Sequence, residues 1–156
     1  MCILMDGSEK PIPIPAKLLS DNSISLVWRS GDGWIYKRSI PYLIETELAM
    51  LITMRGVYVP GVSRYDKYTL AIQDAGKSEP ITDANLFVAN CEHFLTVMTM
   101  RGVRHGDLTT PHVIVRNNSP IVIDWAESRL FTDPAPDKRK EGDNFWMHST
   151  MIGMIG

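Results

Sequence analysis

The sequence has little of several features that mark particular protein classes. It contains only two cysteines, Cys2 and Cys91, which lie far apart and match no metal-binding spacing, so a reduced chain without disulfides is expected. No apolar run reaches the roughly 18 residues of a membrane-spanning helix, and the start, MCILMDGSEKPIPIP, is a poor signal peptide. The formal net charge of −2 excludes an overall basic field that would recruit nucleic acid or a membrane. A cytoplasmic protein is therefore expected.

The chain does contain enough apolar material for a core, since 44% of its 156 residues are hydrophobic. SISLVWRS and WIYKRS are β-branched and aromatic runs separated by GDG, which predicts a hairpin with its turn at Gly31 to Gly33. YTLAIQDAG predicts a further strand that runs into a turn, and DANLFVANCEHFLTVMTMRG predicts a long helix between an Asp83 N-cap and Gly102.

Between these runs, PYLIETELAMLITMRG has helical spacing and a glycine, Gly56, where a C-cap is wanted. The residues predicted to share its inward face are Leu43, Glu47, Met50, Leu51 and Met54.

The stretch RHGDLTTPHVIVRNNSPIVIDWAES, residues 104–128, carries the most specific pattern. A His-Gly-Asp turn leads into two short apolar strands, HVIV and IVI, and Asp124 follows the second strand directly. Asp107 and Asp124 taken singly are better explained as turn caps. The joint pattern favours a site in which two carboxylates at the ends of a hairpin act together.

The order hairpin, helix, strand, turn, helix and this motif resembles a protein kinase fold reduced to its essentials. HGDL looks like the catalytic loop of kinases, and IDWA looks like their metal-binding Asp-Phe-Gly segment. HGDLTT resembles the small atypical kinase of the KEOPS complex and the RIO kinases, while IDW followed by DPAPD also resembles aminoglycoside and choline phosphotransferases. The resemblance implies an α+β, minimal bilobal fold in one domain, 1–156. A small antiparallel-sheet N-lobe with one helix would cover about 1–74, and a truncated helical C-lobe about 75–156.

The resemblance also implies roles for the two aspartates. Asp107 would orient the attacking hydroxyl or water and accept its proton, and Asp124 would hold Mg²⁺ of a bound Mg-ATP. His105 would pack against the metal-binding segment.

Further roles fall on the first half of the chain. Lys37 in WIYKRS occupies the place of the lysine that binds the α- and β-phosphates. Glu45 and Glu47 are both available as its helix partner, and Glu47 is preferred because it lies on the inward face. The hinge that binds ATP is expected at Gln73, Asp74 and Ala75.

Four departures from the kinase pattern limit what the resemblance implies. No glycine falls in LLSDNSIS, where the phosphate-covering loop is expected, so the amides of residues 20–23 would have to replace it. His112 replaces a metal-binding asparagine; imidazole suits transition metals better than Mg²⁺, which makes Mn²⁺ an alternative. Ala126 replaces the glycine of the metal-binding segment. Gly106 replaces an arginine that reads an activation-loop phosphate, so activation by loop phosphorylation is not expected.

The end of the chain is expected to support the catalytic loop. EGDNFWMHSTMIGMIG offers Asp143 on a helix, and DPAPD offers Asp137 as the phosphotransferase-like alternative. TDPAPDKRKEGDN, rich in proline and charge, is predicted to be a loop. If the apolar residues that follow are exposed, they would favour binding to a partner protein or formation of a dimer.

Three functions remain open from the sequence. The first is an ATP-dependent phosphotransferase of the atypical Ser/Thr protein kinase type, or an ATPase within a complex, acting with a protein substrate or partner. The second is a pseudokinase that binds nucleotide or a partner without transfer. The third is a small-molecule phosphotransferase. The presence of Asp107, Asp124 and Lys37 together favours the first.

Overall fold

The short β-branched and aromatic runs of the first half form one antiparallel sheet. Its strands are β1 (Ala16–Asp21), β2 (Ser25–Ser30), β3 (Trp34–Ser39), β4 (Val62–Asp66) and β5 (Thr69–Gln73), in the spatial order β1-β2-β3-β5-β4. The structure is a computed structural model that describes residues 11, 16–21, 25–106, 108–125, 128–130 and 138–155. β3 lies in the middle of the sheet, so a side chain on it is held by neighbours on both sides.

The predicted β2–β3 hairpin is confirmed, with Gly33 at a φ of 89° in its turn. Asp32 fixes this turn, because its side chain accepts hydrogen bonds from Trp34 N at 3.1 Å and from Tyr36 Oη at 2.9 Å. Less of the chain is left for the expected phosphate-covering loop than its sequence suggested. Much of LLSDNSIS lies in β1 and β2, which pair with each other, and only residues 22–24, outside the described part of the chain, separate them.

The first helix is α1 (Pro41–Thr53), which begins with proline at its first turn, where the missing N–H is not needed. Its buried residues are Ile44, Glu47, Met50 and Leu51, and the buried Met54 follows as its C-cap. The predicted inward face was therefore right except at Leu43, which is only partly buried. Ile44, three residues before Glu47 on the same face, is buried in its place.

The second helix, α2 (Ala84–Met100), begins and ends where the sequence indicates. The Asp83 side chain accepts a hydrogen bond from Leu86 N at 3.1 Å, and Gly102 follows the helix with a φ of 69°. Short elements come next: β6 (Val103–Arg104), a 3-10 helix (Thr110–His112), β7 (Val113–Arg116), β8 (Ser119–Val122) and β9 (Arg129–Leu130). β7 and β8 form the predicted hairpin, turning at Asn117 and Asn118, whose φ values of 49° and 59° suit a tight two-residue turn.

The last element is α3 (Lys138–Ile155), and it corrects one expectation. The second half of the predicted loop TDPAPDKRKEGDN is helical, because α3 already begins at Lys138. Asp143 lies on this helix, as predicted, although its side chain is outside the described part, and Asp137 is not described at all. No helix among the described residues is long and apolar enough to cross a membrane.

The main core lies between α1, α2, α3 and the β7–β8 hairpin. Its largest fully buried side chains include Trp125, Phe87, Phe94 and Met98, and Cys91 lies among them as a free thiol. Because Trp125 directly follows Asp124, the core anchors the chain at the end of the motif.

Candidate functional site

Three separate elements bring one cation and two carboxylates together. Lys37 Nζ, from the middle of β3, lies 2.9 Å from Glu47 Oε1 of α1 and 3.2 Å from Asp124 Oδ1, just after β8. The side chains of Lys37 and Glu47 are only 14% and 2% exposed. The Asp124 side chain is 40% exposed to solvent. Charges this poorly hydrated are retained only where they are paired.

The electrostatics agree with this pairing. Burial alone would lower the pKa of Lys37, but Glu47 and Asp124 together outweigh it and raise that pKa to about 12. The hydrogen bond from His112 is the main cause that lowers the pKa of Asp124 well below its usual range; the Lys37 charge adds to it and burial opposes it. At neutral pH the site therefore holds an ammonium group and an ionised Asp124.

The second oxygen of Glu47 ties α1 to the segment after Asp124, because Glu47 Oε2 accepts a hydrogen bond from Trp125 N at 2.9 Å. The indole of Trp125 is completely buried and donates to Val122 O at 2.9 Å. His105 is also fully buried: its ring meets the indole edge-on at 4.6 Å, and its Nε2 lies 3.0 Å from Ile123 O. The packing predicted for His105 is thus confirmed, and the backbone on both sides of Asp124 is fixed.

His112 and Asp124 are held side by side by the backbone. Ile123 N donates to His112 O at 2.9 Å, and His112 N donates to Thr109 O at 2.9 Å. Asp124 has a φ of 61°, a left-handed conformation that a non-glycine residue adopts at some energetic cost. The result is a contact of 3.1 Å between His112 Nε2 and Asp124 Oδ2.

These charged groups line an apolar cleft of about 230 Å³. Apolar side chains from both sides of the cleft line it: Leu19, Val27, Ile35, Ile72, Ile114 and Ile123. Its outer wall is the segment from Gln73 to Gly76, which leaves the sheet at the end of β5. A mostly apolar cavity with a few polar groups at one end is typical of a small-molecule site.

The outer wall is braced by Asp74. Its Oδ2 lies 2.8 Å from Arg29 Nε of β2, and its Oδ1 accepts a hydrogen bond from Gly76 N at 2.8 Å. Ala75 lines the cleft, and within the described residues its backbone has no hydrogen-bond partner. It is therefore available to the polar edge of a flat ligand.

Most of the residues predicted from the sequence meet in this cleft. Those that line it are Lys37, Glu47, Gln73, Asp74, Ala75, His112 and Asp124. Glu45 points elsewhere and pairs with Arg64 on the exposed surface, which agrees with the preference for Glu47. Asp107 lies outside the described residues.

Sequence reasoning missed Arg29 and the apolar lining. The alternation of apolar and polar residues in LVWRS places Val27 and Arg29 on the same face of β2, and that signal was available. The ion pair of Arg29 with Asp74 joins residues far apart in the chain, so nothing in the sequence indicated it.

Two solved structures of the Rio2 kinase from Chaetomium thermophilum resemble this architecture. One matches with a TM-score of 0.70 and 12% sequence identity, covering 86% of this chain and 55% of the Rio2 chain. The chain has an atypical protein-kinase-like fold. The other, a complex of Rio2 with ADP/Mg²⁺ and phosphoaspartate, matches with a TM-score of 0.68 and 12% identity, covering 84% of this chain and 52% of that one.

The chain thus spans about half the length of these two Rio2 structures. No family model matches the sequence, and neither does any curated protein. At 12% identity the likeness establishes the fold, and the function has to be argued from the site.

Proposed function

We propose that the chain binds ATP in this cleft and is an ATP-dependent phosphotransferase of the atypical Ser/Thr protein kinase type, acting alone or within a complex. The observation that carries the proposal is Lys37, which is held by Glu47 and Asp124 in the wall of an apolar cleft. One of the two Rio2 structures contains ADP, so a protein of the same fold holds a nucleotide.

The cleft suits the two chemically different ends of a nucleotide. Val27 on one side and Ile114 and Ile123 on the other offer apolar surfaces to both faces of a base. The base edge would meet the backbone at Ala75. The phosphates would then extend toward Lys37, whose ammonium group is a compact charge suited to phosphate oxygens.

The phosphate acceptor is proposed to be a hydroxyl group of a protein substrate. Phosphoryl transfer needs a group that orients this hydroxyl and takes its proton. The resemblance of HGDL to the kinase catalytic loop gives that role to Asp107, which directly precedes Leu108, a residue buried in the core. The assignment rests on the sequence pattern, because Asp107 lies beyond the described part of the chain.

A magnesium ion fits these residues poorly. Mg²⁺ prefers hard oxygen ligands, whereas Asp124 already contacts Lys37 with one oxygen and His112 with the other. The described residues contain no group of three or more metal-ligating side chains. The expectation of Mg²⁺ or Mn²⁺ at Asp124 and His112 stays a prediction, and no catalytic step is derived through a metal.

The contacts of Asp124 with Lys37 and His112 favour a second candidate, a pseudokinase that binds nucleotide without transferring phosphate. A carboxylate engaged by His112 and Lys37 is poorly placed to hold a cation that would neutralise the negative charge on a migrating phosphoryl group. In that case the nucleotide would stabilise a surface that holds a partner protein.

The two candidates are separated by measuring ATP binding by isothermal titration and γ-phosphate release or transfer in parallel. Replacing Lys37 by Met is expected to weaken ATP binding at least tenfold, because the buried charge facing the phosphates is lost. Lys77→Met is the matched control, since Lys77 is exposed. Turnover that disappears in Asp107→Asn while binding persists supports the transferase; binding without turnover in the wild type supports the pseudokinase. If the wild type does not bind ATP, both are wrong.

A further inference from the structure

All carboxylates described in the lining of the cleft are already engaged by groups of the protein itself. Glu47 contacts Lys37 and Trp125 N, and Asp74 contacts Arg29 and Gly76 N. Asp124 is the most exposed of the three, and it contacts Lys37 with Oδ1 and His112 with Oδ2. A divalent cation entering the cleft would therefore have to share an oxygen with a protein donor at whichever carboxylate it used.

The contact between His112 and Asp124 also removes Nε2, the ring nitrogen that faces Asp124, as a metal ligand. An ionised carboxylate only accepts hydrogen bonds, so the Nε2 atom at 3.1 Å from it must carry the hydrogen. A ring nitrogen that carries hydrogen has no lone pair to offer a metal. This holds for the neutral ring with hydrogen on Nε2 and for the charged ring alike.

The position of His112 is built into the fold. Its backbone N–H donates a hydrogen bond to Thr109 O, and its backbone C=O accepts one from Ile123 N, each at 2.9 Å. The other ring nitrogen, Nδ1, lies 3.4 Å from Thr109 Oγ1. The side chain is 19% exposed, so the imidazole is largely enclosed and aimed at Asp124.

We propose that His112 takes the place at Asp124 that a divalent cation would otherwise occupy, so that ATP binding in this cleft is largely independent of Mg²⁺. The inference rests on the proposed binding of ATP in the cleft. The Nε2–H group and the Lys37 ammonium both face Asp124 and so weaken its repulsion of the phosphates. His112 is thereby a specificity-determining residue: it sets whether the free nucleotide or its metal complex is bound.

The test is isothermal titration of ATP into the full chain in EDTA and, separately, in saturating Mg²⁺. The wild type is expected to give dissociation constants in the two buffers that agree within about threefold. A tenfold difference would correspond to about 1.4 kcal/mol. His112→Asn is expected to bind ATP at least about tenfold more tightly with Mg²⁺ than with EDTA, because the amide oxygen is a hard ligand. His148→Asn, on the exposed surface of α3, is the matched control and should keep the wild-type ratio.

The outcomes are distinct. Wild-type binding that occurs only with Mg²⁺, or a changed ratio in the His148→Asn control, overturns the inference while ATP binding itself stands. Failure of the folded wild type to bind ATP in either buffer overturns the proposed function together with the inference. The wild-type comparison needs no substitution, so it decides the matter even if His112→Asn does not fold. Mn²⁺ relaxation of water protons adds a direct readout: ATP with His112→Asn should recruit Mn²⁺ to the protein, and ATP with the wild type should not.

Discussion

Replacing Glu47 by Gln tests the buried pair most informatively, because the chain supplies its own control. Gln has the same shape and still offers an oxygen to Trp125 N, so the main change is the loss of the charge that faces Lys37. Breaking a buried ion pair costs about 3–5 kcal/mol, and Lys37 keeps Asp124 at 3.2 Å, so we expect a loss of about 2–4 kcal/mol in the free energy of unfolding. Glu45→Gln removes an exposed pair with Arg64 and should cost about 1 kcal/mol or less.

The assay is urea unfolding and thermal melting of the wild type and both variants, followed by far-UV circular dichroism. For a chain of this size each kcal/mol corresponds to about 2–4 °C in Tm, so Glu47→Gln should melt roughly 5–15 °C lower while Glu45→Gln melts close to the wild type. Equal losses of unfolding free energy in the two variants would refute the reasoning. The buried, paired Glu47 would then contribute no more to stability than the exposed Glu45 on the same helix.

Three further substitutions or treatments have expected outcomes. Trp125→Ala should lower the free energy of unfolding by about 3–5 kcal/mol, because the indole is fully buried and donates to Val122 O; a loss below about 1 kcal/mol in urea unfolding would contradict its place in the core. Asp83→Ala should cost about 1 kcal/mol through the lost hydrogen bond from Leu86 N, measured in the same way, and an unchanged unfolding midpoint would show that the cap contributes nothing. Cys91 should resist iodoacetamide at pH 8, because burial raises the pKa of its thiol to about 12; peptide mass spectrometry that finds rapid labelling in the native state would disprove this, and labelling should appear once the chain is unfolded.

The local elements of the fold were largely predictable from the sequence. Periodicity and terminators identified the β2–β3 hairpin, α1, α2 and the β7–β8 hairpin, because each is specified by residues close in the chain. β1 and β4 were missed, since AKLLSD and VSRYD have weak alternation and become strands by pairing with better ones. α3 begins inside a charged, polar segment, where composition indicated a loop.

The candidate site was predictable in its members and in the Lys37–Glu47 pair, but not in its other contacts. Lys37, Glu47 and Asp124 were each named from motif order, and the structure places the Lys37 ammonium within 3.2 Å of both carboxylates. The ion pair of Arg29 with Asp74 and the contact of His112 with Asp124 depend on how separate elements pack, which no local pattern encodes. The role of Asp107 remains a prediction.

The most direct measurement of ATP binding in the cleft is a map of backbone amide chemical shifts upon ATP addition, with and without Mg²⁺. Binding at the proposed place should shift the amides of Ile72, Ala75 and Gly76, with no comparable change at Thr150 on α3. Shifts that cluster on α3, or no saturable shifts at any nucleotide concentration, would contradict ATP binding in this cleft.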